Sequence, residues 1–148
     1  GSPSQVLDVP TVTLDSYAFD NVGFIKIDVE GHEVSVLKSA QKTIEQSRCN
    51  LLIEAEERHV TNATTDLFDW CEENEYAGFF LLDGQLMPIS LFQPDIHQDA
   101  NNIAGWASGW KRTGLYINNF ILIPEEGKSE FIRACNLMGW KLHEHTTE

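Results

Sequence analysis

Phe24-Ile25-Lys26-Ile27-Asp28-Val29-Glu30-Gly31-His32-Glu33 decides the fold. A short β-branched apolar run ends in a carboxylate, turns at a glycine and opens an amphipathic segment. Phe24 to Asp28 reads as a strand whose near-continuous apolar character suits a parallel sheet covered on both faces. By the two-residue period, Lys26 shares a face with Phe24 and Asp28. A lysine in a central strand needs a partner, because burying an unpaired ammonium is costly. Asp28, or a carboxylate from a neighbouring strand, is the expected one. Gly31 permits the sharp turn. Glu30 and Glu33 suit the positive end of the helix that follows. In open α/β sheets, chemistry sits beyond the carboxyl ends of the strands. Asp28, Glu30, His32 and Glu33 all fall at such an end.

Working outward, His32 to about Ser47 reads as one helix with Val34, Leu37, Ala40 and Ile44 on its apolar stripe, widened by Val36. Leu51 to Ala55 is a second apolar strand ending in acids. The spacing suits a right-handed βαβ crossover, which sets Asp28 and Glu54 side by side at one sheet edge. Thr64 or Thr65 is expected to cap the next helix, which runs to about Asn74 with Leu67, Phe68 and Cys71 buried. Gly78 to Leu82 reads as a third strand and Asp83-Gly84 as a turn. Residues 88–113 read as a long surface loop. Tyr116 to Ile123 is a fourth strand stopped by Pro124. Lys128 to Leu137 is a closing helix with Phe131, Ile132, Cys135 and Leu137 on its apolar side. His143 and His145 fall in a polar tail. Upstream, Leu14, Tyr17 and Ala18 predict a short helical turn after an extended lead-in.

Composition excludes several functions. The 148 residues suit one domain, and the 42% apolar fraction supplies its core. A net charge of −13 argues against a nucleic-acid backbone and against an anionic membrane surface. The basic pair Lys111-Arg112 does not change that. Cys49, Cys71 and Cys135 are widely spaced and odd in number, which predicts neither a disulfide framework nor a cysteine zinc site. The expected location is therefore the cytoplasm. Gly1-Ser2 reads as a tag-cleavage scar. Residues 1–12 are the lead-in, 13–140 the domain and 141–148 the tail.

The residues around Asp28, with Val36-Leu37-Lys38, Thr13-Leu14-Asp15, Leu52-Ile53-Glu54 and Tyr116-Ile117-Asn118-Asn119-Phe120, resemble the FkbM family of S-adenosylmethionine-dependent methyltransferases over about residues 11–124. The resemblance implies a Rossmann-like class I α/β fold. It matches the C-terminal half only: a mostly parallel sheet with flanking helices and a late antiparallel strand. The family's glycine-rich loop and the acid after its second strand have no counterpart here, so no cofactor-binding residue carries over. The implied activity is O-methyl transfer to a small-molecule or sugar hydroxyl, with S-adenosylmethionine as cofactor. A chain lacking the cofactor-binding half is expected to be inactive alone.

Within that frame Asp28 is the candidate base, with Glu30 as runner-up and Lys26 as its partner. His32, Glu54, Glu56, His59 and Trp106 are candidate substrate contacts. Trp106 and Trp110, four apart, suit a lid or an aromatic wall. Asp28, Glu54, Glu56, Glu57 and His59 also allow an Mg²⁺ site, with Asp28 and Glu54 as its core. Two rival readings follow. One is a non-catalytic binding module of the same fold, and the other is a metal-dependent hydrolase. In the class I sheet, strand 24–28 pairs with a first strand that this chain lacks. A bare edge there predicts homodimerisation or self-association.

Overall fold

The computed structural model describes residues 7–104 and 111–143. Its centre is a six-stranded mixed sheet in the order β1-β2-β7-β3-β4-β8. β1 is Phe24–Ile27, β2 Asn50–Glu54, β3 Tyr76–Leu82 and β4 Gln85–Pro88. β5 (Ile103–Ala104) and β6 (Lys111–Arg112) form a separate two-stranded ribbon. β7 is Asn119–Pro124 and β8 Lys141–Leu142. β1 and β2 are parallel neighbours, with Ile27 opposite Ile53, as the crossover reading requires. β7 then runs antiparallel between β2 and β3. β3 turns at Asp83 and Gly84, both at positive φ, into the antiparallel β4. A two-residue loop of that kind matches the twist of a hairpin.

The expected mostly parallel sheet is corrected here. Among the described residues of this sheet, antiparallel pairs join β2 to β7, β7 to β3 and β3 to β4, and parallel pairs join only β1 to β2 and β4 to β8. Two causes act: β7 inserts antiparallel between β2 and β3 through long-range pairing, and the two-residue turn after β3 can return the chain only antiparallel. The expected late antiparallel strand is present as β7. The tail expected from residue 141 begins as β8, and the His143 amide bonds to the Leu86 carbonyl.

The helices are α1 (Glu33–Ser39), α2 (Gln41–Ser47), α3 (Ala63–Glu73), α4 (Pro94–His97) and α5 (Lys128–Leu137). The single helix predicted from His32 is broken at Ala40. Asp15, from the predicted helical turn (Leu14–Tyr17), explains the break. Its carboxylate accepts the amides of Lys42 and Thr43 and the Thr43 hydroxyl. It thereby caps a second helix start inside one apolar stripe. Leu37, Ala40 and Ile44 of that stripe are buried as predicted. α3 is capped by Glu57 rather than by Thr64 or Thr65: the Asn62 and Thr64 amides and the Thr64 hydroxyl donate to its two oxygens.

The main core joins α1–α3 to one sheet face through Leu37, Ile44, Leu51, Ile53, Leu67, Phe120 and Leu122. A second cluster under α5 covers β3 and β4 on the opposite face, with Phe79, Leu86 and Cys135 at its centre. Leu137, expected there, is 83% exposed because the helix ends at that residue. Part of the predicted surface loop enters the core. Phe92 packs edge-on against Phe68, Phe80 and Phe120, and His97 is buried beside Phe80 and Phe92. The expectation that β1 is covered on both faces is also corrected. Only Ile27 is fully buried, Ile25 is half-buried, and Phe24 is 57% exposed.

Candidate active site

The carboxyl ends of β1 and β2 carry the acids. Beyond β1 the chain passes Asp28 and Val29 and turns through Glu30 and Gly31, both at positive φ. Glu33 is buried, and its carboxylate accepts the Gly31 amide at 2.8 Å, which locks the turn to the first residue of α1. A Cβ on Gly31 would lie 2.7 Å from Val60 Cγ2, so glycine is required for close approach as well as for its φ of +99°. That approach seats the loop after β1 against the loop after β2. The result is a shallow acidic crevice lined by Asp28, Glu30, Glu33, Glu54, Glu56, Arg58 and His59.

Its side chains form one network. Lys26 Nζ lies 3.3 Å from Asp28 and 3.8 Å from Glu54, so both partners proposed for the strand lysine are used. Asn118 Nδ2 donates to Glu54 at 2.5 Å and to Glu56 at 3.3 Å, coupling the two acids. Glu56 is 4% exposed. Arg58 grips it with Nε at 2.5 Å and a terminal nitrogen at 3.0 Å, and the Tyr116 hydroxyl donates at 2.5 Å.

The two acids are driven in opposite directions. Burial pushes the Glu54 carboxyl up, Asp28 and Glu56 add to the effect, and Lys26 opposes it. Burial also acts against the Glu56 charge. The hydrogen bonds from Arg58, Tyr116 and Asn118 outweigh it and hold that carboxyl at about 2. Burial and the Glu56 carboxylate raise the Tyr116 phenol above its ordinary value. Gln98 ties the site to the core: its amide donates to the Ala55 and Ile117 carbonyls and its oxygen accepts the Glu57 amide.

The predicted residues therefore separate into groups. Asp28, Glu30, Lys26, Glu54 and His59 meet at the crevice, with Asp28 exposed. His32 is exposed at the N-cap of α1. Glu56, expected to touch substrate, has its oxygens engaged by the protein. Glu57, proposed among metal ligands, is turned away to cap α3. Among the described residues no group of three or more His, Cys, Asp or Glu side chains could hold a metal ion. Trp106, Trp110 and His145 lie outside the described residues. Sequence reading missed Arg58, Tyr116, Asn118 and Gln98 as site builders. The signal available for one of them was Asn118, an amide at the mouth of an apolar strand, where a buried amide needs partners.

The crevice offers only about 30 Å³ of open space, room for a water or two. A roomier groove of about 420 Å³ lies at the amino end of β3, lined by Phe68, Tyr76, Gly78 and Ile89, away from the acids. A nucleotide-sized cofactor needs a pocket of about 300 Å³ or more beside the reacting groups. The residues of the acidic edge do not fit such a group by themselves.

A family model described as methyltransferase FkbM domain matches residues 1–81. The match covers the lead-in, β1, α1, α2, β2, α3 and β3 up to Leu81, and it ends before β7. No curated protein and no solved structure matches the chain. No helix among the described residues is long and apolar enough to cross a membrane.

Proposed function

This chain belongs to the FkbM methyltransferase family, and from that premise we propose that it supplies the acceptor side of an S-adenosylmethionine-dependent O-methyltransferase. The observation that carries the reading is Asp28. It is an exposed carboxylate at the carboxyl end of β1, held 3.3 Å from Lys26 and beside Glu54. This is where an α/β sheet places its chemistry. Asp28 accepts the hydrogen bond of a small-molecule hydroxyl and holds its proton. Lys26 orients Asp28 through its 3.3 Å contact, and Glu30 and His59 flank the hydroxyl. Glu54, held by Asn118 and facing Lys26, is the second carboxyl beside that acceptor, and burial raises its pKa.

The groups that hold the cofactor come from outside the described residues. In the class I arrangement they arrive on a strand that pairs with β1, whose outer edge is unpaired among the described residues. Mg²⁺ has no part in this reading. Glu56 and Glu57, two of the carboxylates that would bind it, have both oxygens engaged, by Arg58, Tyr116 and Asn118 and by the start of α3.

The test is calorimetric titration with S-adenosylhomocysteine of this chain and of the longest natural chain that contains it. No binding to the short form and micromolar binding to the longer form is the expected result. Micromolar binding to the short form would overturn the half-site reading, and no binding to either would overturn the methyltransferase reading. In the form that binds, Asp28→Asn should lower turnover of a hydroxyl acceptor about 100-fold or more while leaving that titration unchanged.

A further inference from the structure

We propose that the groove between α1 and α3 is a second ligand site, built for a small organic cation that carries a neutral oxygen acceptor, the chemistry of an amino sugar. The inference goes beyond the methyltransferase reading and does not depend on it, because the groove and the acidic crevice share no lining residue. The groove holds about 260 Å³ of open space. Val34 and Lys38, one turn apart on α1, form one wall. Asp66, Trp70 and Glu73 recur at helical spacing along α3 and form the other, with Asp69 beside them. One end of the groove is pinned by Asn74, at the C-cap of α3. Its amide donates to the Trp70 carbonyl at 2.8 Å, and its oxygen accepts from Gln41, the first residue of α2, at 2.9 Å.

Trp70 is the residue that points to a ligand. It is 4% exposed, and its indole N–H is a buried donor without a hydrogen-bond partner. Among the described residues no other buried side-chain nitrogen or oxygen is left unserved. An orphaned buried donor is costly, so an acceptor entering the groove gains what the fold forgoes. The charges select the molecule that brings it. The side chains of Lys38, Asp66, Asp69 and Glu73 are exposed, and none has a hydrogen-bond or ion-pair partner among the described residues. Three carboxylates against one ammonium make the groove negative, which favours a cation and repels an anion. The described residues form no cluster that could hold a metal ion, so the cation is organic. A bare alkylamine leaves the indole N–H unserved, and a carboxylate on the ligand meets three like charges. A hydroxyl or ring oxygen serves the N–H, and Lys38 offers a second donor from the opposite wall. The N–H is closed to water at rest, so the acceptor reaches it as the lining shifts on binding. The space lies just below the range of drug-sized pockets, which suits a ligand the size of one monosaccharide.

Proton–nitrogen NMR of the labelled chain tests the proposal, with glucosamine as the probe, below neutral pH and at about 0.15 M salt, where long-range attraction is screened. The Trp70 indole resonance is assigned through the Tyr76 ring, whose centre lies 5.3 Å away. Glucosamine should move that resonance along a saturating curve at millimolar concentration. Glucose lacks the charge and cyclohexylamine lacks the oxygens, so each should bind about 10-fold more weakly or not saturate at all. The triple variant Asp66→Asn, Asp69→Asn, Glu73→Gln changes only exposed side chains and should fold like the wild-type chain while losing the glucosamine response. Trp70→Phe, followed through the backbone amides of α3, should bind glucosamine and cyclohexylamine alike. If that variant fails to fold, the comparison of the two amines on the wild-type chain still decides. No saturating movement of the Trp70 indole with glucosamine, equal affinity for cyclohexylamine, or an undiminished response in the triple variant would each overturn the proposal.

Discussion

Two arginine–glutamate pairs bracket β2, and they are built in opposite ways. Before the strand, Arg48 holds Glu126 with two bonds of 2.8 Å. After it, Arg58 holds Glu56 with bonds of 2.5 and 3.0 Å. Both carboxyls are driven down to about 2, chiefly by the arginine hydrogen bond for Glu126 and against the opposing effect of burial for Glu56. At the amino end the arginine is the hub. Arg48 also donates to the Asn74 and Glu75 carbonyls and lies 4.9 Å from the Tyr76 ring centre. At the carboxyl end the glutamate is the hub, receiving Arg58, Tyr116 and Asn118. The same ion pair closes a corner of the fold in one place and organises a candidate site in the other.

The largest expected effect follows from burial. Glu56→Gln should destabilise the chain by about 3 kcal/mol, because a buried hub loses its charge while its donors remain. Arg58→Ala should cost less, since Arg58 lies at the surface and Tyr116 and Asn118 still serve the carboxylate. Equal losses in urea melts would erase the distinction between hub and partner. The same residue sets an acid limb. Its folded pKa lies below the ordinary 4.5, so its contribution is fully present above pH 4.5 and is lost as pH falls toward about 2. Glu54 works the other way. Its raised pKa means that ionisation costs stability, and acidification returns it. Stability against pH should therefore fall less steeply in Glu56→Gln than in the wild-type chain below pH 4.5.

Gly31→Ala comes next. The new Cβ meets Val60 Cγ2 at 2.7 Å at a φ of +99°, so the Val60 side chain must shift and presses on the loop after β2. A loss of about 2 kcal/mol is expected from strain and displacement together. Because that loop carries Arg58, the Glu56 carboxyl should titrate higher in this variant, and carboxyl carbon NMR reads that shift. A stability loss with Glu56 unmoved would mean that the two loops are not coupled through Gly31.

What the sequence disclosed and what it hid divide along the same line. The strand 24–27, its parallel neighbour and the meeting of Asp28 with Glu54 were legible. Each rests on local periodicity plus one crossover rule. The roles of Asp15, Glu57 and Glu33 were not. A carboxylate that caps a helix from another segment looks like any surface acid until the chain has folded. Glu56 was hidden for the same reason, since Tyr116 and Asn118 reach it from sixty residues away. The β7 insertion, which made the sheet more antiparallel than predicted, depends on long-range pairing that no window of sequence contains.

The smallest expected effect lies at the amino end and gives the closest test of the comparison. Glu126 is solvent-exposed, so Glu126→Gln should leave the melting temperature nearly unchanged, as exposed ion pairs contribute little. Arg48 stays in place without it, because two carbonyls and the Tyr76 ring still hold the guanidinium. Arg48→Ala should cost about 1 kcal/mol, by stripping donors from the carbonyls that end α3 and removing a cation from the ring face. A hub arginine predicts that asymmetry between the two variants. If Glu126→Gln cost as much as Arg48→Ala, the ion pair itself would be holding the corner, and the two ends of β2 would differ only in exposure.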